Sequence, residues 1–195
     1  MKYQVVRRRR EVIIAGEKVH YVGGNLARAW AEALRGLSLA EHPWKCVLLI
    51  GMGASLIQIL ARRSLPPPEI VVLEIDPHMV SLQETLFDIP IRYTTYIGDA
   101  AHILPSLSIR FDGIFVDAFI EDRVPEHLIG ASFVESLYEH MEPEGILLWN
   151  ALQKSQADEI GRLLMERFRA VRRWRYELHT FWAAALDSGN FHTPF

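Results

Sequence analysis

Three carboxylates and two glycines stand where chemistry needs them. Glu74 closes the apolar run Ile70-Val71-Val72-Leu73, Asp99 follows Tyr93–Ile97 behind Gly98, and Asp117 follows Ile114-Phe115-Val116. A further run, Cys46–Ile50, ends in Gly51-Met52-Gly53, and another, Ile146–Trp149, ends in Asn150. Glycines lack a Cβ, so the backbone there turns sharply and approaches a ligand closely. The helix that follows presents free amide N–H groups at the same place. Glu74 lies 23 positions after Gly51, a spacing that suits a carboxylate accepting from the two vicinal hydroxyls of a ribose. The chemistry these residues favour is nucleoside binding. A plainer reading remains beside it: a tight strand–helix turn at the glycines, an exposed acid at Glu74, and helix caps at Asp99 and Asp117. The dinucleotide fingerprint Gly-x-Gly-x-x-Gly is broken, because the sixth position from Gly51 is Leu56. A bulky side chain there obstructs the close helix–strand packing of a dinucleotide site, so NAD is disfavoured.

These residues need a scaffold that brings strand ends together. Residues 11–22 read as two short strands around a Gly16 turn, and residues 25–37 change to helical spacing, with Asn25 as the expected N-cap. Beyond His42-Pro43, apolar runs at 46–50, 70–73, 93–97, 114–116 and 146–149 alternate with helical stretches, including one from about Ser55 to Arg63 and one starting at Pro77. Helices are also expected over 132–141 and 155–169, a turn at Glu142-Pro143-Glu144-Gly145, and a final strand pair, Val171–Leu178 and Thr180–Leu186. Continuous apolar runs belong to strands covered on both faces. Their alternation with helices predicts an α/β fold: a three-layer sandwich around a mostly parallel, Rossmann-like sheet, with a C-terminal antiparallel pair and a short N-terminal β segment. Ligands in such sheets bind beyond the carboxyl ends of the strands.

Composition narrows the partners. The 195 residues fit one domain over 1–195, with residues 1–24 as the N-terminal β segment and 25–195 as the α/β body. The net charge is −3, with 21 basic and 24 acidic residues. That gives no electrostatic case for a nucleic-acid or membrane partner. No apolar stretch reaches the ~18–20 residues of a membrane helix, and Val12–Ala15 is too short for a signal sequence, so the cytoplasm is the expected compartment. The single Cys46 excludes an intrachain disulfide and a multi-cysteine zinc site. The cluster Arg7–Arg10 is expected on a solvated edge or an oligomer contact, which leaves a homodimer open. His102 and His127 are expected at the surface or at helix caps, and Trp30, Phe133 and Phe168 in the core.

The order and spacing of four segments carry a resemblance. Leu48-Leu49-Ile50-Gly51-Met52-Gly53, Val72-Leu73-Glu74-Ile75-Asp76, Ile97-Gly98-Asp99-Ala100 and Phe111-Asp112-Gly113-Ile114-Phe115-Val116-Asp117 resemble the first four motifs of class I S-adenosylmethionine-dependent methyltransferases. Glu74-Ile75-Asp76 and Gly98-Asp99-Ala100 are especially similar to the spermidine-synthase branch, the polyamine aminopropyltransferases. The resemblance implies S-adenosylmethionine or its decarboxylated form as cofactor and a small-molecule acceptor as substrate. It implies Gly51 and Gly53 along the methionine portion, Glu74 on the ribose, Asp99 on the adenine amine, and Ile75 and Ala100 as apolar walls. It implies Asp117 as the residue that helps deprotonate an attacking amine, and the loop Phe119–Ile129 as the cover that selects the acceptor.

The chain departs from that branch in two places. The aminopropyltransferase loop Asp-Ser-Ser/Thr-Asp-Pro reads Asp117-Ala118-Phe119-Ile120-Glu121, so Ile120 replaces the second aspartate. The tyrosine-histidine-glutamate segment that helps cover a polyamine has no counterpart in residues 19–30. These departures make methyl transfer to a small nucleophile the leading expectation. Aminopropyl transfer is the alternative, and a non-catalytic binding or assembly role the third. Phe115–Ala118 and Leu148-Trp149-Asn150 also resemble metal-dependent O-methyltransferases, but Trp149 at the middle ligand position cannot coordinate, so no metal is expected.

Overall fold

The structure, a computed structural model, describes residues 3–8, 11–63, 66–89, 91–187, 189 and 191. Three short strands come first: β1 (Gln4–Arg8), β2 (Glu11–Ala15) and β3 (His20–Val22), paired antiparallel in that order. Arg7 thus lies on the edge strand β1 and is exposed; Arg9 and Arg10 lie outside the described residues. Helix α1 (Gly24–Gly36) follows, then β4 (Cys46–Ile50), α2 (Ala54–Arg63), β5 (Glu69–Glu74), α3 (Pro77–Leu86), β6 (Tyr93–Ile97), the single turn α4 (Ala100–Ile103) and β7 (Phe111–Val116). The chain continues through α5 (Ala131–Glu139), β8 (Met141–Ala151), α6 (Lys154–Arg167), β9 (Ala170–Tyr176) and β10 (His179–Ala185).

The main sheet has seven strands in the order β6-β5-β4-β7-β8-β10-β9. Strands β4 to β8 run parallel to one another, and β10 pairs antiparallel with both β8 and β9. The expected three-layer α/β architecture is what forms. Each central strand divides its side chains between two cores, because successive residues point to opposite faces. Val47 and Leu49 of β4 join Phe115, Leu148 and Phe181 under α1 and α2. Leu48 and Ile50 join Phe111, Trp149 and Trp182 under α5 and α6. Each such buried aliphatic or aromatic side chain stabilises by ~1.5–3 kcal/mol. Helix α1 delivers Leu26, Ala29, Trp30, Ala33 and Leu34 to the first core at helical spacing. A smaller cluster of Ile14, Val22, Ala54 and Met79 seats the N-terminal sheet against α2 and α3.

Three local details differ from the sequence expectations. The N-cap of α1 is Gly23, not Asn25. Its backbone has a φ of 76°, and its N–H donates to Ser55 Oγ on α2 at 2.9 Å, so a tertiary contact fixes where the helix starts. Helix α5 stops at Glu139, because Met141 pairs with Phe111 and already belongs to β8. The segment expected as a turn at 142–145 lies inside β8, where the pairing shifts between Phe111/Met141 and Gly113/Ile146. In the C-terminal hairpin, Glu177 and Leu178 form the two-residue connection, and Glu177 takes a positive φ of 50°.

Candidate functional site

The chain runs β4, β5, β6 towards one edge and then returns to place β7 on the other side of β4. The strand order therefore reverses between β4 and β7, and a crevice opens beyond their carboxyl ends. Gly51 leaves β4 with a φ of 88°, a conformation that favours glycine. A Cβ there would sit 2.5 Å from the Asp117 carbonyl oxygen, so the two strand exits touch only because residue 51 has no side chain. Backbone bonds lock these exits together: Gly51 N–H donates to Leu73 O at 2.8 Å, Asp117 N–H to Ile50 O at 2.8 Å, and Gly98 N–H to Glu74 O at 2.9 Å.

A cavity lies over these ends. Gly51, Glu74, Ile75, Asp99, Ala100 and Asp117 all line it. Gly53 does not; a Cβ there would lie 3.5 Å from the Leu56 Cβ and 4.0 Å from Asp117 Oδ2, both ordinary contacts. Glu74 accepts from Met52 N–H at 2.7 Å and from Asp76 N–H at 2.8 Å, one on each oxygen. Burial pushes its pKa up, while those two amides oppose the shift by stabilising the charged form. Asp99 caps α4, accepting from Ala101 N–H at 2.9 Å, as its plainer reading anticipates, and its other oxygen meets His127 Nε2 at 2.9 Å. Ile75 is 58% exposed and Ile120 53% exposed on the wall of this cavity. Large apolar side chains left open inside a cleft offer a surface for a flat apolar ligand.

Asp117 caps no helix. Its Oδ1 accepts from Asn150 Nδ2 at 2.9 Å and its Oδ2 from Trp30 Nε1 at 2.8 Å. Burial raises its pKa to about 6, against the pull of both hydrogen bonds. Trp30 serves two purposes: its ring packs edge-on against Phe115 and Phe181 in the core, while its N–H holds the carboxylate. Cys46 is no rival nucleophile, since burial pushes its thiol to about 11.

Asp117 also lines a second cavity. Tyr21 and Phe119 are shared with the first cavity; Lys18, His20, Asn25, Glu177 and His179 belong to the second alone. Asn25 Nδ2 donates to Glu177 Oε2 at 3.3 Å, tying α1 to the C-terminal hairpin. Of the loop 119–129, only Phe119 reaches this cavity; Ile120, Pro125, His127 and Leu128 cover the first one instead. Reasoning from sequence missed Tyr3, Tyr21, His127, Glu177 and His179 as site residues. Tyr3 and Tyr21 arrive on the N-terminal sheet, stacked edge-to-face at 5.6 Å, and Tyr3 O–H donates to Asp76 Oδ2 at 2.5 Å. The adjacent His20-Tyr21 pair was the signal that could have found this segment.

Among the described residues, no group of three or more His, Cys, Asp or Glu side chains is arranged to hold a metal ion. Trp149, at the middle metal-ligand position of the metal-dependent resemblance, is fully buried against Phe133. No described helix is long and apolar enough to cross a membrane.

No protein-family model matches the chain. Over 120 residues it is 30% identical to a probable polyamine aminopropyl transferase of Bifidobacterium longum (strain NCC 2705), a match covering 60% of this chain and 26% of that protein. The match thus spans about a quarter of that relative's length. In fold it is similar to a probable spermidine synthase from Corynebacterium glutamicum ATCC 13032, with a TM-score of 0.78, 17% identity and coverage of 94% of this chain and 76% of that one. It is also similar to human methyltransferase-like protein 13 in complex with SAH, with a TM-score of 0.67, 19% identity and coverage of 84% and 82%. In sequence the chain is thus similar to a polyamine aminopropyl transferase over part of that protein's length, and in fold it is similar to a spermidine synthase and to a methyltransferase-like protein.

Proposed function

We propose that the chain is a transferase that moves an aminopropyl group from decarboxylated S-adenosylmethionine to a small amine acceptor. The observation that carries this reading is the meeting of two cavities at one carboxylate, Asp117. Charge favours the decarboxylated donor. Glu74, Asp99 and Asp117 line the first cavity, and neither lysine nor arginine is among its lining residues. A methionine carboxylate would meet three carboxylates and no cation there, whereas an ammonium and a sulfonium would be attracted. The likeness to a polyamine aminopropyl transferase supports the same choice over the methyl transfer that the sequence alone favours.

The residues fit such a donor. Glu74 keeps lone pairs for two vicinal hydroxyls after its bonds to Met52 and Asp76, and those amides fix its orientation. Ile75 and Ala100 wall the base, and Asp99 accepts from its exocyclic amine beside His127. Gly51 gives the backbone its close approach. The donor, when bound, supplies a carbon activated by a sulfonium leaving group. Asp117 faces the acceptor cavity and takes a proton from the acceptor's ammonium, a task suited to a carboxylate whose pKa lies near neutrality. Trp30 and Asn150 hold it in place, and alignment of nucleophile with carbon supplies much of the rate.

One observation favours a second reading, methyl transfer: Ile120 stands on the cavity wall where the aminopropyltransferase loop carries an amine-binding aspartate. Mass spectrometry of reaction mixtures separates the two. Decarboxylated S-adenosylmethionine with 1,4-diaminobutane is expected to give methylthioadenosine and an equal amount of the aminopropylated amine. Product formed only from intact S-adenosylmethionine would replace this reading with methyl transfer.

A further inference from the structure

A chain of three polar side chains leads from Asp117 into the second cavity. Asn150 is fully buried on β8, opposite Phe181 of β10. Its Nδ2 donates to Asp117 Oδ1 at 2.9 Å, and its Oδ1 lies 3.1 Å from His179 Nδ1. Turning the amide over would set its oxygen against a carboxylate oxygen, so with Asp117 ionised the orientation is fixed. The amide oxygen can only accept. His179 Nδ1 must therefore carry the proton, which leaves the lone pair of the neutral ring on Nε2. The ring stacks at 20° on Phe181, with centroids 5.8 Å apart, and lines the second cavity. No described residue is a hydrogen-bond partner of Nε2. Burial lowers the His179 pKa to about 4, which keeps the ring neutral and able to accept at neutral pH.

We propose that His179 Nε2 accepts an N–H of the amine acceptor in the second cavity, with Asn150 as the positioning residue that ties this hydrogen bond to Asp117. In the cation, Asp117 and His179 each accept one N–H of the same nitrogen; the proton on the Asp117 side passes to the carboxylate, its bonding pair becomes the lone pair that attacks carbon, and His179 keeps hold of a remaining N–H. This arrangement rests on the transferase reading and names what that reading leaves open: a primary or secondary amine with at least two N–H bonds in its cationic form. A hydroxyl acceptor has one proton to give and cannot satisfy both Asp117 and His179. A tertiary amine has too few as well. In this arrangement the β9–β10 hairpin and β8 contribute to the selection, beside Phe119 of the loop 119–129.

Two substitutions separate the ring's two edges. In His179→Asn the side-chain amide keeps a donor near the position of Nδ1, facing Asn150, and loses the acceptor in the cavity. In His179→Gln the amide oxygen reaches the position of Nε2 and the contact to Asn150 is lost. Binding of methylthioadenosine, read as a thermal shift, is expected to stay intact in both. With decarboxylated S-adenosylmethionine as donor and a panel of primary diamines as acceptors, His179→Asn is expected to raise the amine KM by about tenfold or more, the effect of a lost hydrogen bond to a charged group. His179→Gln is expected to recover most of that loss. In wild-type protein carrying ¹⁵N-labelled histidine and saturated with methylthioadenosine, 1,4-diaminobutane is expected to shift the His179 Nε2 resonance. An unchanged resonance, or an unchanged amine KM in His179→Asn with nucleoside binding intact, overturns the His179 assignment alone. Impairment in His179→Gln but not in His179→Asn shows a structural role and overturns it too. Failure of the wild type to bind methylthioadenosine overturns the nucleoside reading itself, and this proposal with it.

Discussion

The two cavities that meet at Asp117 are built from different kinds of structure. The first lies on the exits of parallel strands. Glu74 ends β5, Gly51 follows β4 and Asp99 follows β6; backbone hydrogen bonds tie Gly51, Glu74 and Gly98 to neighbouring exits, and Asp99 caps its own helical turn. The second is assembled from pieces distant in sequence: Lys18 and His20 near β3, Asn25 on α1, Glu177 and His179 on the C-terminal hairpin. A sheet that must bury both faces fixes its strand ends as a by-product of packing. A cavity made from a hairpin and an added β segment can change its side chains without disturbing the core. The first cavity is therefore suited to a constant donor and the second to a variable acceptor.

The largest expected effect falls where the cavities join. Asp117→Asn keeps the shape of the carboxylate and removes its ability to take a proton. A turnover loss of about 10²–10⁴-fold is expected, with the methylthioadenosine thermal shift retained. Loss of that shift as well would mean that Asp117 belongs to the donor side rather than to the junction.

Next comes Glu74→Ala, aimed at the first cavity alone. It removes the carboxylate proposed to hold the ribose and also strands the Met52 and Asp76 amides. A nucleoside affinity lower by about tenfold or more and a stability loss of about 1–3 kcal/mol are expected, measured by calorimetry and urea unfolding. Unchanged nucleoside affinity would remove the ribose assignment.

The pH response sharpens the comparison further. Asp117 has a pKa of about 6 in the folded chain, above its ordinary value of 3.8. Its contribution to stability is therefore present at low pH and lost as pH rises towards and past about 6. Activity should move in the opposite direction, since only the ionised carboxylate takes a proton. An acid limb near pH 6 in kcat/KM is expected, together with unfolding profiles whose acid-side stability is reduced in Asp117→Asn. An acid limb that survives in Asp117→Asn would assign it to another group.

The smallest effect is expected from Ile120→Asp. It adds a carboxylate at the rim, where exposed charge pairs contribute only ~0.2–1 kcal/mol. Ile120 lines the first cavity and not the second, so the KM for a diamine should change by no more than about twofold, with the nucleoside thermal shift unaltered. A fall of about tenfold in that KM would place the amine at this rim instead.

The contrast between the cavities also explains what the sequence made legible. The strand exits were readable because each central strand is a continuous apolar run, and the first polar residue after such a run marks its end: Glu74, Asp117 and Asn150 were found this way. The strand order, and with it the reversal between β4 and β7, was not readable, because alternation with helices predicts a parallel sheet but not which strands are neighbours. His179 and Glu177 were not readable, since a β-hairpin connection carries no periodic signal and what faces it depends on the pairing of β10 with β8. Trp30 looked like core and is core; its hydrogen bond to Asp117 depends on how α1 crosses the sheet, which its helical spacing does not encode. Met141 misled for a related reason. It fits the helical spacing of Phe133 and Leu137, yet pairing with Phe111 draws it into β8.

The most direct test of the central claim is a crystal structure of the complex with methylthioadenosine. Both ribose hydroxyls should lie within hydrogen-bonding distance of the Glu74 carboxylate, the base should rest on Ile75 with its amine towards Asp99, and the sulfur should face Asp117. A nucleoside bound elsewhere, or bound here with its ribose turned away from Glu74, would contradict the account.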